Sequence, residues 1–149
     1  MKLALTLALA MVTCAIAQDH HAAVNERGDH VMGFSHEKTT HHFQLLKDGG
    51  IIEVDANDPK DNATRDQIRG HLTHIAHMFA DGNFAAPMLI HDQTPPGVPV
   101  MKDRKDRITY RFENTDNGGR VLISTEDKDA LEAVHKFLRF QIADHQTLK

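Results

Sequence analysis

At 149 residues the chain has the length of one domain and is short for two. It sets 17 Lys and Arg against 21 Asp and Glu, a net charge of −4, and it has no basic run, which argues against a nucleic-acid partner. A single cysteine rules out a disulfide framework, whereas 12 histidines are far more than a globular domain needs, and their full protonation would reverse the sign of the net charge.

The first segment reads as a leader. Met1-Lys2 is a positive start, Leu3 to Ala10 is an apolar run, and Ala15-Ile16-Ala17 is an A-x-A cleavage signal. Residues 1–17 are therefore expected to be a signal peptide removed on export, which makes the destination the periplasm or the exterior. The run falls short of the ~20 residues that span a bilayer, so no membrane association is expected after cleavage. Cys14 leaves with the leader, and Thr13 before it is not the small residue a lipoprotein signal wants. Stability of the remainder has to come from its core, helped by a ligand or a partner.

Residues 18–38 are polar and show no sustained period, so an irregular N-terminal segment is expected there. His20 and His21 near the new terminus are either a loose Cu²⁺ or Ni²⁺ site or simply a flexible polar end. A single α+β domain is expected over 39–149. Thr39 to Leu46 alternates as a strand does, with Thr39, His41, Phe43 and Leu45 on one face. Lys47-Asp48-Gly49-Gly50 reads as a turn, and Ile51 to Ala56 as the returning strand with Ile52 and Val54 inward. A polar loop follows and ends in an N-cap at Asn62 or Thr64.

The next stretch, Arg65 to Phe79, is helical, with Ile68, Leu72, Ile75 and Phe79 as its apolar stripe. His71 and Met78 flank that stripe, His74 lies further round, and His77 points away. Residues 83–107 then read as one long loop that carries His91 and is stiffened by Pro95-Pro96. Connections longer than ~12–15 residues are uncommon in compact domains and are often functional. A third strand, Ile108 to Glu113, a turn over 114–119, and a fourth strand, Arg120 to Ser124, lead to a last helix of roughly Asp129 to Asp144, capped by Thr125 or Asp127. Its stripe is Leu131, Val134, Leu138 and Ile142, and His135 and His145 read as structural. Phe137 and Phe140 fall off the stripe. Packing on the N-terminal segment, a homodimer interface and burial on both sides of the helix are the alternatives, and the last is the simplest.

The two halves, about 39–82 and 108–149, share one order of strand, Gly-Gly, strand and helix. Phe43 with Gly49-Gly50 matches Phe112 with Gly118-Gly119 at one constant offset. The helical stripes match at a slightly smaller offset, as a longer loop before the first helix requires. The expected fold is an α+β ββα–ββα internal repeat, a four-stranded antiparallel sheet with two helices packed on one face.

His41 on the first strand, His71 and His74 one turn apart on a helix, and His91 on the stiff loop form the candidate metal set. Side chains at i and i+3 are neighbours on a helix, and imidazole suits copper or zinc. Met78 or Met101 would add a soft sulfur favouring Cu⁺. No H-E-x-x-H is present, and H-x-x-H alone is a weak signal. Catalysis has less support. Ser35 and Ser124 sit in no nucleophile motif, and the paired glycines belong to turns, not to a phosphate loop. What remains is a metal-activated water held by His41, His71 and His91, with Asp92 or Glu37 as base. The function expected first is thus an exported copper- or zinc-binding domain. The alternatives are a non-catalytic module that binds a small ligand or a protein through the Pro95-Pro96 loop, and a metal-assisted hydrolase.

Met32 to Phe34 (MGF), Thr39 to Phe43 (TTHHF), Arg65 to Ala76 (RDQIRGHLTHIA), His91 to Val98 (HDQTPPGV) and Phe137 to Thr147 (FLRFQIADHQT) together resemble a group of small exported bacterial proteins. The resemblance implies export and no particular reaction. Some members of that group carry a carbamoyltransferase label. This chain is too short for that enzyme's two domains and has no Ser-Thr-Arg-Thr phosphate motif.

Overall fold

A computed structural model describes residues 18–145. The leader expected at 1–17 lies outside them. Among the described residues, nine α-helices and strands follow the order α1 (18–32), β1 (Thr39–Leu46), β2 (Gly49–Ala56), α2 (Asn62–Ala80), α3 (Ala85–His91), α4 (Val98–Asp103), β3 (Ile108–Asn114), β4 (Gly118–Thr125) and α5 (Lys128–Asp144). The architecture is α+β, with one four-stranded antiparallel sheet in the order β1-β2-β4-β3. Among the described residues no helix is long and apolar enough to cross a membrane.

One cross-strand row explains the core. Phe43 pairs with Ile52, Ile52 with Val121, and Val121 with Phe112, so an inward-facing side chain from each strand lines up across the whole sheet. The stripe expected on α2 is the observed one: Ile68, Leu72, Ile75 and Phe79 are all buried. They join Ile52, Val54, Val121 and Ile123 of the sheet and Val134, Phe137 and Leu138 of α5 in a single hydrophobic cluster. α2 lies over β3 and β4, whereas α5 lies over β1 and β2. Each helix also clamps the turn of the hairpin it covers. Arg69 donates from Nε to the Gly118 carbonyl at 2.9 Å and from Nη2 to the Thr115 carbonyl at 2.7 Å. His135 Nε2 lies 2.8 Å from the Leu46 carbonyl and 3.0 Å from that of Gly49.

The paired glycines are strand, not turn. Gly49 and Gly50 open β2, and Gly118 and Gly119 open β4. They are required by close approach. A Cβ on Gly50 would stand 2.2 Å from Leu138 Cδ1 on α5, and one on Gly118 would stand 2.0 Å from the Val54 carbonyl oxygen. The turn between β1 and β2 is left with Lys47 and Asp48 alone.

Three regions differ from expectation. Residues 18–38 are not irregular, since α1 occupies 18–32. Its inward positions recur at helical spacing through His21, Val24, Gly28 and Met32, but only Val24 and Met32 are apolar, so the period is invisible in a hydrophobicity pattern. Gly33, at φ +79°, ends the helix, and its N–H bonds the Asp29 carbonyl at 3.0 Å. Residues 83–107 are not one loop, because α3 and α4 lie inside them. Helices of two turns or fewer are too short to display a period, and Pro99 sits in the first turn of α4, where its missing N–H costs nothing. The buried line of α5 runs through Ala130, Ala133, Val134, Phe137, Leu138 and Gln141, with Leu131 and Ile142 only half-buried. Phe137 belongs to the core because α4 packs against α5, bringing Gly97 so near the Ala133 carbonyl that a Cβ would meet it at 2.1 Å.

Candidate functional site

The chamber forms where α2 and α5 part above the β1 side of the sheet and α3 roofs the gap. It is a cavity of about 60 Å³. His41 reaches it from β1, His71 from α2, His91 from the end of α3, and Gln141 and His145 from the end of α5. Three of the four histidines singled out for metal binding, His41, His71 and His91, thus converge on one space. His74 does not line it: its side chain is solvent-exposed, because a one-turn step from His71 carries it past the buried face. Met101 is sealed in the core and Met78 packs against the core, so neither offers its sulfur here. The methionine of the chamber is Met32, at the end of α1.

His91 is 2 % exposed and fully engaged. Its Nδ1 donates to the Asp144 carboxylate, and its Nε2 faces Gln141 Oε1 at 2.9 Å. The carboxylate that orients this imidazole is therefore Asp144, not Asp92. Asp92 is exposed and left-handed, at φ 53°, where α3 ends, and both ring nitrogens of His91 are engaged elsewhere. Glu37 is exposed too, in a 3₁₀ turn before β1. Phe140 sets its ring edge-on to His91 at 4.9 Å, and His145 does the same at 5.1 Å.

His145 in turn stacks on His41, with ring centroids 5.5 Å apart and planes 9° from parallel. His71 meets Phe34 edge-on at 5.6 Å. Burial, reinforced by positive charge on His145, His71 and other neighbouring histidines, pushes His41 down to about 3. Burial first and His74 second push His71 down to about 4. Burial, with His91 next, does the same to His145, also to about 4. At neutral pH these three imidazoles are uncharged. For Asp144, burial works to raise the pKa, but hydrogen bonds from His20 and His91 outweigh it, and the carboxyl ends below its ordinary value.

Two polar atoms of the chamber residues, His41 Nε2 and Gln141 Nε2, are buried with no hydrogen-bond partner. A buried polar group in that state costs about 1–3 kcal/mol and is rare in native proteins. Among the described residues, no three His, Cys, Asp or Glu side chains stand as a group that would hold a metal ion.

Gln141, Asp144 and His145 were legible only in part. Gln141 is a polar residue on the buried face of α5, one turn beyond Phe137, and a polar side chain repeated on an apolar period is a usable signal. Nothing in the sequence marked Met32, or tied Asp144 to His91. Compared with family models, curated proteins and solved structures, the chain matches none.

Proposed function

We propose that this protein is an exported, non-catalytic binding module that takes a small ligand into the histidine chamber. The observation that carries the reading is the pair of unpartnered buried atoms, His41 Nε2 and Gln141 Nε2, belonging to residues that line one small cavity. A ligand that hydrogen-bonds to both recovers what their burial costs. The leader-like residues 1–17 support export. The internal ββα–ββα repeat is the frame we assign to the module. It is supported by the register, in which Phe43 pairs with Ile52 as Phe112 pairs with Val121, and Ile52 pairs with Val121 itself at the centre.

The test is native mass spectrometry on the protein taken mildly from the exported fraction of its own host. A bound small molecule, present with the parent and absent with Gln141→Leu of unchanged circular dichroism, is expected. A parent that carries no adduct under these conditions counts against the reading.

Binding of copper or zinc is the second reading. It is favoured by the neutrality of His41, His71 and His145, since only uncharged imidazole ligates a metal, and by the thioether of Met32, which suits Cu⁺. The engagement of both His91 nitrogens and the position of His74 weigh against the full set of His41, His71, His74 and His91. About one equivalent of tightly held metal on elemental analysis, lost in His145→Ala, would establish it over the first. A hydrolase centred on His91 and Asp92 lacks support from the hydrogen bonds, because His91 bonds Asp144 and Gln141 instead.

A further inference from the structure

We infer that the ligand is an uncharged amphiphile that puts a short apolar tip into the chamber, offers a hydroxyl to Gln141 and His41, and leaves its remainder in the groove between α1 and β1. This inference rests on the ligand-binding reading above.

The chamber does not stand alone. A second cavity of about 540 Å³ lies between α1 and the edge strand β1, and Met32, His41 and His145 are walls of both. The two differ in size and in chemistry. Small-molecule sites typically occupy ~300–1,000 Å³; the groove falls in that range and the chamber far below it. With roughly 30 Å³ for each water-sized group, the chamber takes only the tip of a molecule. Its walls are apolar side chains such as Phe43, Ile52, Val54 and Phe137, so the tip is apolar. The groove is walled by Asn25, Thr39, Thr40, His36 and His42, which suits a polar remainder.

Charge is excluded by the same walls. No Lys, Arg, Asp or Glu lines the chamber, so a charged group carried into it would give up its hydration with no opposite charge to pair against. The hydroxyl follows from Gln141 and His41. One end of the Gln141 amide meets His91 Nε2, and a hydroxyl, which both gives and takes a hydrogen bond, pairs with whichever end is left. It pairs equally with His41 Nε2 in either tautomer.

A matched series tests this. The full chain, with ¹³C-labelled methyl groups, is titrated with p-cresol, p-toluate and p-methylbenzylammonium, which share a tip and differ in charge, and with xenon, which reports only whether the chamber is accessible. We expect p-cresol to shift the Ile52, Val54 and Ile75 methyl signals saturably, the charged analogues to bind at least tenfold more weakly, and Gln141→Leu to weaken p-cresol at least tenfold while leaving the xenon shifts in place. Equal binding of a charged analogue, or p-cresol affinity unchanged in Gln141→Leu, overturns the proposed ligand class. Xenon shifts without any binding of the three aromatic probes also overturn the class and leave the chamber reading standing. If xenon moves no chamber methyl either, the chamber reading itself falls.

Discussion

Asp144 bonds His91 with one carboxylate oxygen and His20 with the other, the latter at 2.8 Å. Its backbone carbonyl also receives His21 Nδ1, at 3.0 Å. A single residue at the end of α5 thus holds both the imidazole at the inner wall of the chamber and the start of α1, the helix that walls the outer groove. Further tethers of α1 include the Arg27 Nε bond to the Ile90 carbonyl, at 2.7 Å, the His36 N–H bond to Asp29 Oδ1, also at 2.7 Å, and the burial of Val24.

Asp144→Asn is therefore expected to act in two places. It removes the charge that both imidazoles bond, and hydrogen bonds to charged groups are worth about 1.5–3 kcal/mol. Global stability should fall by roughly that amount, and amide hydrogen exchange should rise selectively in 18–32 and around His91. Exchange that rises uniformly, or not at all in 18–32, would show that Asp144 does not anchor α1.

Acid should destabilise the fold well before its carboxylates titrate. An unfolded histidine titrates near 6.5, whereas folded His41 does so at about 3 and folded His71 and His145 at about 4. Between these values the unfolded chain binds more protons than the folded one, so stability is full above pH 6.5 and declines as pH falls towards 4. Each such proton contributes about 1.4 kcal/mol per pH unit. Denaturant midpoints measured from pH 7.5 to 4.5 should drop with a slope of at least one proton, and His41→Phe should flatten it. Constant midpoints over this range would contradict the burial of neutral imidazoles.

Gly118→Ala should be among the most damaging single-methyl additions in the chain. The new Cβ would meet the Val54 carbonyl at 2.0 Å, and backbone in a central strand pair has no route of retreat. A loss of about 1–3 kcal/mol or more is expected from overpacking, read as a lower melting temperature. Gly70→Ala is the control. Nothing lies within 4 Å of its Cβ position, and on a helix alanine is favoured over glycine by roughly 1 kcal/mol, so this variant should be neutral or more stable.

His74 and His145 separate the four histidines expected from the sequence from the residues that line the chamber. His74→Ala should leave binding at the chamber unchanged, since the side chain is in solvent. His145→Ala removes the ring that stacks on His41 and walls both cavities, and should weaken any chamber ligand by tenfold or more. Calorimetric titration of both variants with the same ligand checks the order, and the reverse order would return His74 to the site.

Much of the fold was legible because burial repeats along an element. The alternation of Thr39, His41, Phe43 and Leu45 and the 3.6-residue spacing of Ile68, Leu72, Ile75 and Phe79 record which side faces the core, whatever the core turns out to be. Even so, the glycine pairs read as turns in the sequence, since only the approach of Leu138 and of the Val54 carbonyl shows why those strand positions admit no side chain. α1 stayed hidden because half of its inward positions are His21 and Gly28, which a hydrophobic period does not register.

The candidate site divides along the same line. The sequence by itself determined that His41 faces inward and that His71 flanks a buried stripe, because these follow from local periodicity. Only the tertiary structure decided that His91, Gln141 and His145 share their space, that His74 does not, and that Asp144 rather than the adjacent Asp92 holds His91. Neighbours along the chain need not bond one another when one of them is left-handed, as Asp92 is. Residues far apart in sequence meet only through the packing of α3 against the end of α5, which no local pattern encodes.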